Sequence, residues 1–336
     1  MHANPILAEL TRGNWLENIY RGAFAVIDGD GRLIASAGDI ERAIFPRSAI
    51  KSMQALPIFA RHAADAFHHT EEELALACAS HHGEDAHVTV AAGLLDRLGL
   101  SVADLECGAH APTNAAAREA LRASGREPSA LHNNCSGKHS GMLSVARAMG
   151  VPTAGYVGRE HAVQRVVREA VETVIGEPLS EGKCGTDGCS IPTFAAPLRA
   201  FAHGFARMAT GHGLPADYAS AAQRLFDAAT SHPHLVAGTG HADTQIMGAF
   251  GGRVMQKVGA EGVHCGAIRD KGWGYAIKCD DGNNAASTAM LAGLLLAIAD
   301  PDAAQTELLK TFASQTIRSV RGADVGVLRV TGAVRT

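Results

Sequence analysis

Aromatic side chains are sparse in this sequence, at 5% with only two tryptophans, and lysine and arginine nowhere form a block. A nucleic-acid surface needs clustered basic residues, commonly with stacking aromatics between them, so no nucleic-acid partner is expected. No apolar run reaches the ~18 residues a membrane span requires. The longest candidate, 285–299, is interrupted by Ser287 and Thr288 and reads as a buried helix. The opening stretch, MHANPILAELTRGNW, lacks a basic segment followed by an apolar one. No secretory leader or membrane association is expected on that ground, and the expected location is cytoplasmic. Internal repeats and low-complexity linkers are lacking too, so the expectation is a single catalytic domain over 1–336.

What is present is ordinary globular material: 46% hydrophobic, 19% charged, with a net charge of −4. That is enough apolar mass for a large core. Seven cysteines stand at 78, 107, 135, 184, 189, 265 and 279. In a reducing compartment they are expected as free thiols, most of them small buried hydrophobes.

Segment 22–38 alternates apolar residues about Asp28-Gly29-Asp30-Gly31, the pattern of a hairpin. Segments 253–258, 263–268 and 274–279 read as three more strands. Helical periodicity fills the interval between, over 47–59, 71–79, 87–98, 115–123, 137–149, 159–175, 193–208 and 216–229, and returns at 285–299. Strands near both ends (about 10–45 and 250–336) and helices in the middle (about 46–249) predict an α+β fold. Its terminal strands join in one antiparallel sheet packed with helices. Such a sheet brings residues near position 50 close to those near 257.

Ser48-Ala49-Ile50-Lys51 follows Pro46 at a predicted helix start. Residues three apart share a helix face, so the hydroxyl and the amine can meet. A serine becomes a nucleophile when a base takes its proton, and a neutral lysine is such a base. A second Ser-x-x-Lys, Ser180 to Lys183, lies in a loop-like stretch. Hydrolases built on Ser-x-x-Lys carry a second serine from the helical region and a Lys-Thr-Gly on a core strand. Ser80, after helix 71–79, and Lys257-Val258-Gly259, ending a strand, follow in the same chain order. Lys183-Cys184-Gly185 is a rival for the last element, but without a predicted strand. A second cation beside Lys51 would help keep it neutral.

Two polar loops, each leading into a helix, complete the set: LHNNCSGKHSGML at 131–143 and KCGTDGCS at 183–190. Cys135 and Cys189 suit a soft divalent metal completed by a histidine or an oxygen donor, with His139 the nearest such residue. They equally suit two free thiols, or a Cys135 nucleophile paired with His139.

Taken together, PRSAIKSMQ from Pro46, ASHHGE from Ala79, HNNCSGKH from His132 and GTDGCSIP from Gly185 resemble the L-asparaginase II family. The resemblance runs from about residue 10 to about 330. It implies a fold like that of serine β-lactamases and penicillin-binding proteins, and hydrolysis of L-asparagine to aspartate and ammonia. It implies two Ser–Lys pairs, Ser48 with Lys51 and Ser80 with Lys257, Ser48 being the nucleophile that forms an aspartyl ester. It further implies a zinc held by Cys135, Lys138 and Cys189, with Arg47, His139 and Asp187 directed at the substrate, and a homodimer. The rival readings are a β-lactam or peptide hydrolase on the same fold, and a non-catalytic zinc or redox protein.

Overall fold

The computed structural model describes residues 3–334. Its main sheet is built from β1 (Ile6–Arg12), β2 (Trp15–Asp28), β3 (Leu33–Ala37), β4 (Val254–Gly259), β5 (Val263–Ile268), β6 (Trp273–Cys279), β7 (Ser314–Arg318) and β8 (Asp324–Val330). The order is β7-β8-β1-β2-β6-β5-β4, antiparallel throughout. The long β2 joins the ends of the chain. Its first half pairs with β1, and its second half lies between β3 and β6.

The second half of β2 is buried on both faces, because the sheet is covered on both sides. Ala23, Ala25 and Ile27 face one core, while Phe24 and Val26 face the other. On the first face lies helix Leu198–Thr210, drawn so close that a Cβ at Gly274 would sit 2.0 Å from the Ala202 carbonyl. Small residues at 23, 25, 274 and 276 permit that approach, and the helix buries Phe201 and Phe205 in return. On the other face lies helix Asn284–Ile298, apolar nearly all round, with helix Ala303–Ala313 beside it. Burying one such phenylalanine contributes about 2 kcal/mol.

The α+β architecture is as expected, and so is the joining of strands from both ends. Segments 6–12, 314–318 and 324–330 add strands that alternation alone did not single out. Three local expectations change. Segment 47–59 is not one helix: a 3-10 turn over Arg47–Ile50 precedes short helices Lys51–Gln54 and Pro57–Ala60. Pro57 has no N–H to continue a helix but suits the first position of a new one. Segment 193–208 starts as strand, Pro192–Phe194, and becomes helical only after Pro197. Cys184–Thr186, expected as loop, pairs with Pro192–Phe194 in a two-stranded ribbon. Among the described residues no helix is long and apolar enough to cross a membrane.

Candidate active site

Thr70 caps helix Glu71–Ala77 reciprocally with Glu73, which fixes where that helix starts and therefore where it delivers the chain at its other end. Ser80 follows, its N–H donating to the Val236 carbonyl at 2.9 Å. Helix Ser136–Ala148 packs on the same helix through Gly137, where a Cβ would stand 2.3 Å from the Leu76 carbonyl. Only glycine permits that approach, and it seats the 132–139 loop beside Ser80. The loop is tied down by its first asparagine: Asn133 donates to the carbonyls of Cys107 and Gly108 and accepts from the Cys135 N–H.

From the other direction β4 brings Lys257, buried to 1% exposure like Lys51. The Lys257 amine donates to Ser80 Oγ at 2.9 Å and to the Val258 carbonyl at 2.8 Å. The Lys51 amine donates to the same Ser80 Oγ at 3.0 Å, to the Ala79 carbonyl and to Cys135 Sγ at 3.1 Å. Ser80 is thus held between two buried amines. The expected Ser80–Lys257 contact is present. The expected Ser48–Lys51 hydrogen bond is not: among the described residues Ser48 Oγ has no hydrogen-bond partner, because the Lys51 amine is drawn inward by two carbonyls, a hydroxyl and a sulfur. Ser48, on the 3-10 turn, is only partly buried. Burial brings Lys257 from the usual lysine range to about 7, against the opposing pull of the Asp243 carboxylate.

The Ser48 turn carries backbone strain. Arg47, not a glycine, has φ +51°, in the left-handed region. Its guanidinium is directed at Asp187, with Nε 2.8 Å from Oδ1. Asp187 Oδ1 also accepts the Gly188 N–H at 2.7 Å. Burial pushes the Asp187 carboxyl up, but the Arg47 hydrogen bond and the Lys138 charge outweigh it and hold it below the usual range. Arg47 and Asp187, both expected to meet substrate, here satisfy each other.

The second constellation adjoins the first through Cys135, which accepts from the Lys51 amine. The Lys138 amine donates to Cys189 Sγ at 2.9 Å. The Cys135 thiol is held well below the ordinary range, first by the neighbouring Cys189 thiol and then by Lys51 and Lys138. Burial opposes the charge on Lys138, but the two sulfurs outweigh it and raise the amine. Two sulfurs and one nitrogen converge at this point, a donor set that suits a soft divalent ion. His139 is wholly buried. Its Nδ1 meets the Tyr156 hydroxyl at 2.7 Å, while its Nε2 has no partner among the described residues.

Other expectations are sorted by exposure. Lys183, of both the second Ser-x-x-Lys and the rival Lys-Cys-Gly, is solvent-exposed at the ribbon's edge. A histidine group not singled out from sequence lies beside the Ser80 segment: His81, His87 and His234 stack at 4.7 and 5.1 Å. Glu84, His87 and His234 bring their donor atoms within 4.8 Å of one another. Their hydrogen-bonding capacity is already committed. His87 accepts the Glu84 N–H and meets the His234 carbonyl, and His234 Nε2 meets Glu84 and Thr239. The group is a structural knot under the site. Asp243, also missed, is fully buried behind β4. The only local signal for it was the Asp in His241-Ala242-Asp243, at the start of a helix the periodicity did not single out.

A family model described as L-asparaginase II matches residues 8–330. The chain belongs to the L-asparaginase II family. That span takes in both buried lysines, both serines and the cysteine loops. A search of curated proteins finds no match. Among solved structures, Mglu in its native form is 15% identical, with 79% of this chain and 61% of that one covered at a TM-score of 0.43. The chain thus spans about three fifths of that structure. A β-lactamase from Mycobacterium bovis is 15% identical over 78% of this chain and 88% of its own, with TM-score 0.38. The simvastatin synthase LovD from Aspergillus terreus is 12% identical over 87% and 90%, with TM-score 0.39. At these scores none bears on function.

Proposed function

We propose that this asparaginase II family member hydrolyses the side-chain amide of L-asparagine to aspartate and ammonia by acyl transfer to a serine. The observation that carries the reading is the placement of Ser80 Oγ within hydrogen-bond reach of two buried lysine amines, at 3.0 and 2.9 Å. One of those amines, Lys51, directly follows the strained turn that presents Ser48.

In this reading Ser48 attacks the amide carbonyl, since its hydroxyl is partly exposed and bound to nothing else. Lys51, in its neutral form, accepts the serine proton, with Ser80 and Lys257 completing a relay that returns a proton to the departing ammonia. Lys257 is suited to that exchange because burial has brought it near neutrality. N–H groups at the start of the turn would stabilise the oxyanion. Water then cleaves the aspartyl ester. The Arg47 guanidinium can exchange Asp187 for the substrate carboxylate, two planar acceptors of the same geometry.

Zinc is proposed for the cysteine constellation, held by Cys135 and Cys189 as thiolates and Lys138 as the neutral amine. When bound it would supply a fixed positive charge and hold the two loops together; a positioning role suits its burial. The orphaned Nε2 of His139 makes that residue the alternative nitrogen donor.

The contact geometry favours one second reading. Ser80, not Ser48, is the serine bonded to both amines, so Ser80 itself could carry the acyl group. Ammonia release from asparagine, with glutamine alongside, decides between them. Ser48→Ala is expected to abolish release and leave the fold intact, with mass spectrometry of the quenched wild type placing the added aspartyl group on Ser48. An acyl group on Ser80, or full activity in Ser48→Ala, would transfer the nucleophile's role. No release from the wild type would sink the substrate assignment.

A further inference from the structure

The proposed mechanism leaves one fully buried carboxylate without a task. Asp243 stands at the start of helix Ala242–Phe250, with none of its surface exposed. Its Oδ2 accepts the Val258 N–H at 2.8 Å, and its Oδ1 accepts from the Gln256 side-chain amide at 3.2 Å. Gln256 and Val258 are the residues on either side of Lys257. The Gln256 amide is itself aligned, reaching His264 Nδ1 at 2.8 Å while its Oε1 accepts from the Tyr275 hydroxyl at 2.8 Å.

β4 is the edge strand of the sheet, so N–H groups on its open side have no ladder partner. Asp243 supplies one at Val258, the same residue whose carbonyl accepts the Lys257 amine. No ion pair within 4.0 Å joins Asp243 to Lys257 among the described residues. An ionised carboxylate this deep must be compensated by hydrogen bonds and by charge at longer range. The basic side chains facing it are Lys257, His264 and His241, whose Nδ1 accepts the Asp243 N–H at 3.1 Å. The titratable groups facing Lys257 are Asp243 from this helix, Lys51 from the short helix after the Ser48 turn, Cys135 from the polar loop, Cys78 from the end of helix 71–77, His82 just past Ser80, and His264 and Cys265 from β5. Asp243 is the only carboxylate in that set.

We propose that Asp243 is a positioning residue for Lys257: through Val258 and Gln256 it fixes the strand segment that carries the amine, and by its charge it sets how readily that amine gives up its proton beside Ser80. The consequence for turnover rests on the acyl-transfer reading above; the effect on the lysine does not. Without the carboxylate the ammonium loses stabilisation while the neutral amine loses none, so Lys257 must titrate at lower pH. The burial that brings Lys257 to about 7 would then act without its largest opponent.

The chain has only seven lysines, so ε-13C-lysine labelling gives a countable spectrum, with Lys257 assigned by its loss in Lys257→Met. In Asp243→Asn, which keeps an acceptor for Val258, the Lys257 midpoint should fall by about one pH unit, a tenfold loss of proton affinity. The limb of the kcat/KM profile that follows Lys257 should move to lower pH by the same amount. Asp243→Glu, which keeps the charge, should leave the midpoint near its wild-type value. Asp243→Ser, neutral and still a good group for a helix start, should give the same downward shift and serves where the amide variant does not fold. An unmoved midpoint in a folded neutral variant, with turnover merely reduced, would overturn the proposal and leave Asp243 a strand anchor. A midpoint that moves in a protein inert toward asparagine would overturn the substrate reading alone and support this one.

Discussion

Gly259 ends β4, two residues past Lys257, and faces the turn that presents Ser48. A Cβ built there would lie 2.5 Å from the Pro46 carbonyl oxygen and 3.1 Å from both the nitrogen and the Cβ of Ala49. All three are backbone or backbone-proximal atoms, so no side chain can rotate away. Relieving the closest contact to 3.0 Å requires the strand end and the turn to separate by roughly half an ångström. Overpacking of this kind costs about 1–3 kcal/mol of stability. Since a misplacement of about 1 Å costs on the order of 10²-fold in rate, half that distance predicts a fall of about tenfold for Gly259→Ala. The assay is kcat/KM by coupled ammonia detection, with thermal unfolding in parallel. Gly293→Ala is the control, since its Cβ would press on Val330 on the far face of the sheet. It should lower the unfolding temperature without touching kcat/KM. If Gly259→Ala loses stability but keeps kcat/KM within about twofold, the strand end does not position the Ser48 turn, and the reasoning fails.

Two further outcomes follow from the buried groups. Purified wild type should carry about one zinc per chain by elemental analysis, Cys189→Ala should carry almost none, and chelation should lower the unfolding temperature of the wild type but not of that variant; equal metal in both would remove Cys189 from the donor set. His69, buried beside Arg97, is held neutral down to about pH 4 by burial first and by that cation second. Its folded value lies below its unfolded one, so its contribution is fully present above pH 6.5 and is lost as pH falls toward 4, a swing on the order of 3 kcal/mol. Urea unfolding across that window should therefore steepen toward acid, and His69→Gln should flatten the slope; identical slopes would show that His69 is not the group responsible.

Much of this was written in local sequence. Short, mostly apolar runs at 263–268 and 274–279, bounded by turn residues, sufficed for two central strands, because a strand covered on both faces needs few polar positions. The four long motifs around Ser48, Ser80, Cys135 and Cys189 were enough for the family, since each strings several unusual polar residues together. Ser80 with Lys257 was likewise legible from chain order. Segments 6–12, 314–318 and 324–330 were not, since they are only partly buried and owe their strand character to pairing with one another and with β2.

The direction of the Lys51 amine lay beyond sequence altogether. Spacing by three places it beside Ser48, but side chains with four rotatable bonds go where acceptors are, and these came from Ala79, Asn134 and Cys135, remote in the chain. Asp243 was invisible for the same reason: a carboxylate becomes remarkable only when folding buries it, and burial belongs to the assembled core. Local sequence determined which chemical groups this protein owns and which elements carry them. The packing of β4 against the Ser48 turn, which brings Lys257 to Ser80, decided which groups meet and what charge each bears, because desolvation and hydrogen-bond partnership are properties of neighbours in space.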